Sequence, residues 1–318
     1  MTRPHLAVTL GDPRGIGPEV SLRAIESIAA GESSIAVSVV VPDATVPADD
    51  AARVIREYVS SGQASDSVAG AAAARSIERA VTAALAGTFH AVVTGPSHKP
   101  SLHAAGWDVP GQTEMLARLT GSSPVGMLMA AARTKLGSPL RILLATTHLA
   151  LRDVPEAVSE DLLFEQTSLL DGALRRDWAL AEPRLGLCAL NPHASDGGLF
   201  GTEEAQTFAP AVERLRSAGI RVNGPVPADT VFSRALAGEF DAVVAPYHDV
   251  GMAAFKTVAF GSGVNVTIGL PFVRTSPDHG TAFDIAGSGR ADPSSMLEAL
   301  QLAARLAHAR FDTSTSRV

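Results

Sequence analysis

Three histidines each directly follow an apolar run of the chain. His148 lies in ATTHLAL, His193 in LNPHASDGG and His248 in APYHDVG. Imidazole is a common ligand of Zn²⁺ and related ions, and a catalytic metal needs about three protein ligands and an open position. A lone histidine at a strand end is more often held by ordinary hydrogen bonds, but three in equivalent places can converge. The pattern therefore indicates a divalent metal, while Asp249 could be a ligand, a group that orients His248 or a turn residue.

A second set combines two cations with an amide. Lys256, Asn265 and Arg274 follow one another at nine-residue spacing. Lysine supplies a point charge, asparagine a neutral donor and arginine a planar two-pronged donor, which is a mixture that suits a phosphate or carboxylate. Solvated surface groups are the alternative. Since PFVRTSPDHGTAFD around Arg274 is polar and rich in turn residues, we do not expect it to be a strand.

Two further blocks contain polar residues beside glycines. TGPSHKPSLHAAGWDVPGQTE includes Lys99, which would be catalytic only if buried, and Gln112 and Thr113, with Thr113 a plausible N-cap of the next helix. VTLGDPRGIGPE joins a strand to a helix, but it has neither the Rossmann nor the Walker order of glycines. A tight turn and a phosphate-binding loop both stay open for it.

Apolar runs rich in β-branched residues alternate with amphipathic stretches of helix length, which predicts an α/β fold with a largely parallel sheet. The expected strands are 6–10, 35–41, 91–94, 125–129, 142–145, 185–190, 242–245 and 264–268. The expected helices are 18–30, 50–59, 71–86, 114–120, 155–175, 203–218 and 293–309. The polar blocks follow strands, where α/β enzymes place their sites.

Composition excludes several classes of partner. The chain has 318 residues, 46% hydrophobic and 19% charged, with a formal net charge of -7. A nucleic acid or an anionic membrane would need a basic face, so we expect neither. The single Cys188 and the absence of a signal-peptide pattern in MTRPHLAVTL predict a cytoplasmic protein.

The order of motifs resembles one family along nearly the whole chain. GDPRGIGPE, GQTEMLA, TTHLAL, LNPHASDGGLFGTEE, GPVPADTVF, YHDVGMAAFK and VNVTIGLPFVRTSPDHGTAFDIAG are similar to the 4-hydroxythreonine-4-phosphate dehydrogenases of vitamin B6 biosynthesis. The resemblance implies a two-lobed α/β/α sandwich of the isocitrate and isopropylmalate dehydrogenase type. One lobe would comprise residues 1–118 and 275–318 and the other 119–274, with the dimer interface in the second and the active site in the cleft between them.

The resemblance also implies roles for individual residues. His148, His193 and His248 match the family's metal ligands, with His248 donated across a homodimer interface. The matching substrate-binding positions are Gln112, Thr113, Lys256, Asn265 and Arg274, and those expected to be catalytic are Lys256, Asp229 and Asp249. Residues that bind the dinucleotide are not identified.

The activity implied is the NAD-dependent oxidation of a secondary hydroxyl on 4-phosphooxy-L-threonine. The resulting 3-oxo acid would lose CO₂ to give 3-amino-2-oxopropyl phosphate. One divalent metal, Zn²⁺, Co²⁺, Mg²⁺ or Mn²⁺, would serve each site, and three imidazoles favour zinc or cobalt.

Two departures from the family pattern keep other substrates open. Gln112 stands where the family usually has histidine in GHTE, and an amide cannot titrate. Ser195 and Asp196 replace the glycine and glutamate of NPHAGE. The alternatives are 4-phospho-threonate or 4-phospho-erythronate dehydrogenases, and cis-dihydrodiol dehydrogenases of aromatic degradation, which tend to lose the lysine, asparagine and arginine set. A metal-dependent phosphohydrolase and a non-catalytic phosphoacid sensor are rivals of other classes.

Overall fold

A computed structural model describes residues 3–31, 34–61, 63 and 65–311. The chain forms two compact units. The first runs to Ser123 and resumes over Val264–Val266 and from Leu270 onward, and the second comprises Pro124–Gly263 and Thr267–Gly269. Residues 119–123, 264–266 and 270–274 thus belong to the first unit, whereas the second lobe was predicted to span 119–274. The predicted cleft stays a prediction.

Strands and helices alternate along most of the chain. The strands are β1 (His5–Thr9), β2 (Ala36–Val41), β3 (Ala44–Pro47), β4 (Ala91–Thr94), β5 (Gly126–Ala131), β6 (Leu140–Leu144), β7 (Leu185–Cys188), β8 (Val222–Val226), β9 (Ala242–Ala245), β10 (Val264–Ile268) and β11 (Val273–Pro277). The helices are α1 (Gly17–Gly31), α2 (Ala51–Ser61), α3 (Asp66–Leu85), α4 (Lys99–Ala104), α5 (Gln112–Thr120), α6 (Val154–Ala157), α7 (Glu160–Asp177), α8 (Ala209–Ser217), α9 (Ala228–Leu236), α10 (His248–Ala259) and α11 (Ser294–Phe311). The predicted α/β class is confirmed.

The sheet of the first unit has the order β3-β2-β1-β4-β11. β1 pairs in parallel with β2 and β4, and β11 pairs in parallel with β4. Only the short β3 runs antiparallel, against β2. The carboxyl end of β4 therefore lies beside β11, and this neighbourhood brings together residues far apart in sequence.

The strands of the second unit follow the order β5-β6-β9-β7-β8. β6, β9, β7 and β8 are parallel, and β5 is antiparallel to β6. Helix α10 packs against this sheet through the buried Phe255. Its Gly251 permits the close approach, because a Cβ there would lie 2.6 Å from the Leu144 side chain. The start of α10 is thereby held next to the ends of β6 and β9.

Several elements differ from their predicted form. The segment around Arg274 was not expected to be a strand, and this is wrong: all five residues of Val273–Pro277 are buried in β11. Its polar side chains have internal partners, as where Thr275 donates to the Ala299 carbonyl. Strands β3 and β8 were not predicted, because proline and glycine are uncommon in strands. The predicted helix 155–175 is instead two helices, α6 and α7.

The helices that begin at candidate residues were also missed. These are α4, α9 and α10, which start at or next to Lys99, Asp229 and His248. Among the residues that the structure describes, no helix is long and apolar enough to span a bilayer.

Candidate functional site

Arg274 is a buried cation at the centre of a polar cluster in the first unit. It lies on β11 opposite Val92 of β4, and 3% of its surface is exposed. Its Nη2 donates to Thr94 Oγ1 at 2.7 Å and to Gln112 Oε1 at 2.7 Å. Burial lowers the pKa of the guanidinium to about 10, and the Glu114 carboxylate opposes that shift. Arg274 therefore remains charged at neutral pH, and a buried charge of this kind suits an anionic ligand.

Gln112 holds this cluster in place. Its Oε1 also accepts from Thr94 Oγ1 at 2.5 Å, and its Nε2 donates to the Gly95 carbonyl at 2.9 Å and to Ser97 Oγ at 2.7 Å. The amide thus uses both acceptor positions and both donors within the protein. Its direct contact with substrate stays a prediction, whereas its contact with Arg274 is part of the structure.

The other residues of the GQTE block lie in helix α5. Gly111 is the N-cap and has no side-chain cap hydrogen bond, so the expected N-cap at Thr113 is wrong. Thr113 falls inside the first turn and is partly buried. Lys99 begins α4 and is exposed, so the burial that a catalytic role would require is not met.

The nine-residue spacing does not reflect one shared strand or helix. Asn265 lies on β10, and its buried Oδ1 has no hydrogen-bond partner among the described residues. An orphaned buried acceptor is costly unless a ligand or water meets it. Lys256 instead lies on α10 with an exposed side chain.

His148 and His248 lie close together in the second unit. His148 is in the loop after β6, His248 is the first residue of α10, and their ring centroids are 5.9 Å apart. Both line a cavity of about 140 Å³ with Thr147 and Tyr247. Asp249 lies 2.7 Å from His248 Nδ1. A carboxylate at that distance accepts the Nδ1 proton, which leaves the Nε2 lone pair of His248 for a ligand.

The donor set fits a metal only in part. Two adjacent imidazoles, one of them oriented by a carboxylate, suit a nitrogen-preferring divalent ion. In the described part of the chain, however, no group of three or more His, Cys, Asp or Glu side chains is arranged to hold a metal.

His193 lies on a segment with an unusual backbone. After Asn191 and Pro192, the residues His193, Ala194, Ser195 and Asp196 have φ of 53°, 54°, 70° and 42°, and Gly197 and Gly198 continue with positive φ. The left-handed region costs a non-glycine residue roughly 1–2 kcal/mol. Four in succession persist only where surrounding contacts hold them.

Glu204 supplies several hydrogen bonds at and just before this segment. Its carboxylate is buried and accepts from the backbone N–H groups of Leu190 at 2.9 Å and Asn191 at 2.7 Å. It also accepts from Asn191 Nδ2 at 2.9 Å and from the Ser195 hydroxyl. Burial by itself raises the pKa of Glu204, but the hydrogen bonds from Asn191 and Ser195 outweigh it and lower that pKa. Glu204 was not among the predicted site residues, although the acid pair in FGTEE is visible in the sequence.

Asp229 lies in the first turn of α9 and is exposed. Helix α9 packs against the 192–198 segment. Asp229 is thus on an element that contacts the His193 segment, and its catalytic role stays a prediction.

The fold and these polar clusters define an α/β protein with a buried arginine in one unit and paired histidines in the other. Its sequence matches the family model described as "Pyridoxal phosphate biosynthetic protein PdxA" over residues 9–303. The chain belongs to this family, and it is a dehydrogenase.

Individual relatives agree with this assignment. A 4-hydroxythreonine-4-phosphate dehydrogenase from Chromobacterium violaceum is 41% identical over 96% of this chain and 97% of its own length. A D-threonate 4-phosphate dehydrogenase from Pectobacterium atrosepticum is 40% identical over 95% of this chain and 99% of its own length.

Solved structures show the same fold. The 4-hydroxythreonine-4-phosphate dehydrogenase of Klebsiella pneumoniae has a TM-score of 0.80 at 34% identity and covers 96% of this chain and 99% of its own. The isocitrate dehydrogenase of Methylococcus capsulatus, at 14% identity and a TM-score of 0.51, covers 94% of this chain and 84% of its own and shares the fold alone. The expected isocitrate dehydrogenase type of fold is confirmed.

Proposed function

We propose that this dehydrogenase oxidises a secondary hydroxyl of a small phosphorylated hydroxy acid with NAD⁺, and that 4-phosphooxy-L-threonine is its substrate. The observation that carries the proposal is the buried, charged Arg274, fixed by Thr94 and Gln112. A buried guanidinium provides charge-assisted N–H donors for phosphate or carboxylate oxygens. Asn265 adds a buried acceptor that a donor group of the substrate would satisfy.

The residues of this chain bind and orient the substrate. Arg274, with Asn265 and Lys256, would fix the phosphate away from the reacting carbon, because restricting the approach lowers the entropy cost of reaction. Thr113, at the start of α5, stays a proposed substrate contact. Lys256 and Asp229 are the proposed proton-transfer groups. Both are exposed in the single chain, so they would act only once substrate or a partner subunit covers them.

His148, His193 and His248 would hold one divalent metal, with Asp249 setting the tautomer of His248. When bound, that ion lowers the pKa of a coordinated hydroxyl and stabilises negative charge on its oxygen, and NAD⁺ when bound accepts the hydride. The alcohol loses a hydride and a proton to become a ketone. Loss of CO₂ then breaks the bond between the carboxylate and the carbon next to the ketone, and that carbon takes up a proton.

A homodimer is part of the proposal. Exposed large apolar side chains flank the candidate ligands in the second unit: Leu149 and Leu151 beside His148, Leu199 and Phe200 beside the His193 segment, and Phe260 after α10. Leu199 is 77% and Phe260 72% exposed. Apolar groups concentrated in this way mark an interaction surface. A second copy docked there would bring its His248 to the His148 and His193 of the first chain.

A second substrate has specific support. The Pectobacterium relative is named for D-threonate 4-phosphate, and this chain departs from the family pattern at Gln112, Ser195 and Asp196. A 4-phospho-threonate or 4-phospho-erythronate is therefore the alternative.

The test compares initial rates of NADH formation with Co²⁺ or Zn²⁺ present. The substrates are 4-phosphooxy-L-threonine, 4-phospho-threonate, 4-phospho-erythronate and an unphosphorylated cis-dihydrodiol acid, and CO₂ release is followed in parallel. The highest kcat/KM for 4-phosphooxy-L-threonine supports the first choice, and the highest for a phosphorylated sugar acid supports the alternative. A preference for the unphosphorylated diol contradicts the phosphate assignment, and no NADH with any of them contradicts the proposed reaction.

A further inference from the structure

The left-handed turn at 193–198 contacts helix α9 and is also tied to the second unit through one carboxylate. Ala194 N–H donates to the Asn191 carbonyl, and Phe200 N–H to the Ser195 carbonyl, each at 3.2 Å. These two backbone contacts close the turn on itself. Among the described residues, Glu204 bonds both to the strand end that precedes the turn, at Leu190 and Asn191, and to a side chain inside it, at Ser195.

Glu204 occupies a second unusual element. It is the first residue of a π-helical turn, Glu204–Phe208, that leads into α8. Single π turns are rare and occur often near functional sites, because they re-aim a side chain relative to a regular helix. The π turn and the left-handed turn are therefore joined by the same buried carboxylate.

We propose that Glu204 is a positioning residue that fixes the orientation of His193, in part through its hydrogen bond with Ser195. The inference rests on the proposed function, because it assigns the His193 ring to metal binding. Ser195 has a φ of 70°, where glycine adopts the backbone without strain. Ser195 therefore has a strained backbone, but its hydroxyl donates a hydrogen bond to Glu204.

The chemistry requires a carboxylate rather than an amide. Glu204 faces four donors: two backbone N–H groups, the Asn191 amide and the Ser195 hydroxyl. Glutamine has nearly the same shape, but its Nε2 would place a donor against donors, since only its oxygen accepts. Glu204→Gln should thus disturb the turn without opening a cavity.

The preceding residue provides a matched control. Glu203 accepts from Asn191 Nδ2 at 2.8 Å and from Thr202 N–H at 2.9 Å, but it does not bond the Leu190 and Asn191 backbone or Ser195. Gly201 leaves room for the Asn191 side chain to reach Glu203, because a Cβ at position 201 would lie 2.7 Å from Asn191 Nδ2. Glu203→Gln therefore changes an adjacent acid that touches the same asparagine and leaves the turn's own anchor intact.

The experiment titrates the metal-free full chain with Co²⁺ and follows the visible absorption of the bound ion. Outer contacts of metal ligands typically contribute about 10- to 100-fold to affinity. We expect Glu204→Gln to weaken Co²⁺ binding by about that factor and Glu203→Gln by less than about threefold. Ser195→Ala, which keeps a side chain on the strained backbone but loses the hydrogen bond, should weaken it more than Ser195→Gly. If Glu204→Gln does not fold, the comparison of Ser195→Ala with Ser195→Gly still tests the inference.

A double variant shows whether Glu204 acts through His193. If it does, Glu204→Gln should weaken Co²⁺ binding in the wild-type background and have almost no further effect in His193→Ala. An equal effect in both backgrounds overturns the inference, as does unchanged affinity in Glu204→Gln and Ser195→Ala while His193→Ala binds weakly. Wild-type affinity in His193→Ala would instead show that the proposed ligand set is wrong, which is a failure of the proposed function.

Discussion

The Arg274 cluster and the histidine cluster differ in how complete they are within one chain. In the first unit, Arg274 is buried and Gln112 has every donor and acceptor paired with the protein. In the second, His148 is exposed, and no third His, Cys, Asp or Glu joins it and His248 in a metal-binding group among the described residues. The proposed anion-binding residues are therefore held by the fold of one chain. The proposed metal ligands instead lie near exposed apolar side chains in the sequence, as expected of a site that a partner subunit completes.

The largest effect should come from the histidine cluster. Replacing His148 or His248 by alanine removes a proposed metal ligand, and the ion contributes several kcal/mol of charge stabilisation. We expect kcat/KM to fall about a thousandfold or more, with a matching loss of bound metal by elemental analysis. His308, which lies on α11 in the other unit, is the control: His308→Ala should keep full metal content. Full metal content in His148→Ala and His248→Ala would contradict the assignment.

The next effect tests the Arg274 cluster. Arg274→Ala removes a charge-assisted contact worth about 1.5–3 kcal/mol, or roughly ten- to a hundredfold in binding. It should reduce kcat/KM for phosphorylated substrates by that factor, and far less for dephosphorylated analogues. Arg274→Lys should recover only part, since lysine lacks the planar fork. Arg141, which is also largely buried and donates to the Asp241 carbonyl at 2.9 Å, is the control. Equal losses in Arg141→Ala and Arg274→Ala would indicate a general structural effect.

Substitutions of Gln112 should have a smaller effect on kcat/KM. They distinguish a residue that positions Arg274 from one that contacts the substrate directly. Gln112→Leu removes one acceptor of Arg274, and a single hydrogen bond contributes about 0.5–1.5 kcal/mol, so we expect about a two- to tenfold loss of kcat/KM. Gln112→His, the residue more usual in the family, should shift preference towards 4-phosphooxy-L-threonine over 4-phospho-threonate. If Gln112→Leu affects all substrates equally and Gln112→His changes no preference, Gln112 does not set selectivity.

The last effect concerns stability and pH rather than activity. Because the folded-state pKa of Glu204 is lowered, its ionised form stabilises the protein above the unfolded value of about 4.5, and this contribution disappears as pH falls through the folded-state pKa. We expect Glu204→Gln to cost about 1 kcal/mol or more at pH 7, seen as a lower Tm. The gap from wild type should narrow in strong acid. A gap that is the same at pH 7 and at low pH would show that the charge of Glu204 is not what stabilises the turn.

Much of the fold could be predicted because it is encoded locally. Three strands, Ala91–Thr94, Ala242–Ala245 and Val264–Ile268, have the predicted bounds, since each is a short run rich in apolar, β-branched residues. β11 was missed because its Arg274, Thr275 and Ser276 are polar and still buried. Their burial depends on partners such as Thr94, 180 residues away along the chain, which no local pattern contains.

The candidate site likewise has features that are visible in the sequence and features that depend on the fold. Histidines after apolar runs are visible in the sequence, and the structure brings His148 and His248 together. The left-handed turn at His193 was not predictable, because three non-glycine residues follow His193 in a conformation that depends on contacts with Glu204 and helix α9. Glu204 and Gln112 likewise have roles that depend on which atoms they meet after folding.

Mixing two inactive variants tests most directly whether the metal site needs a second copy. His148→Ala and His248→Ala are unfolded together, refolded and assayed. If His248 comes from the partner subunit, a mixed dimer holds one intact site, and random pairing of equal amounts restores about a quarter of wild-type activity. If His148 and His248 of the same chain bind the ion together, as their 5.9 Å ring separation also permits, no mixed dimer contains an intact site. Activity no higher than that of the separate variants, with mixed dimers present by mass spectrometry, would contradict the account.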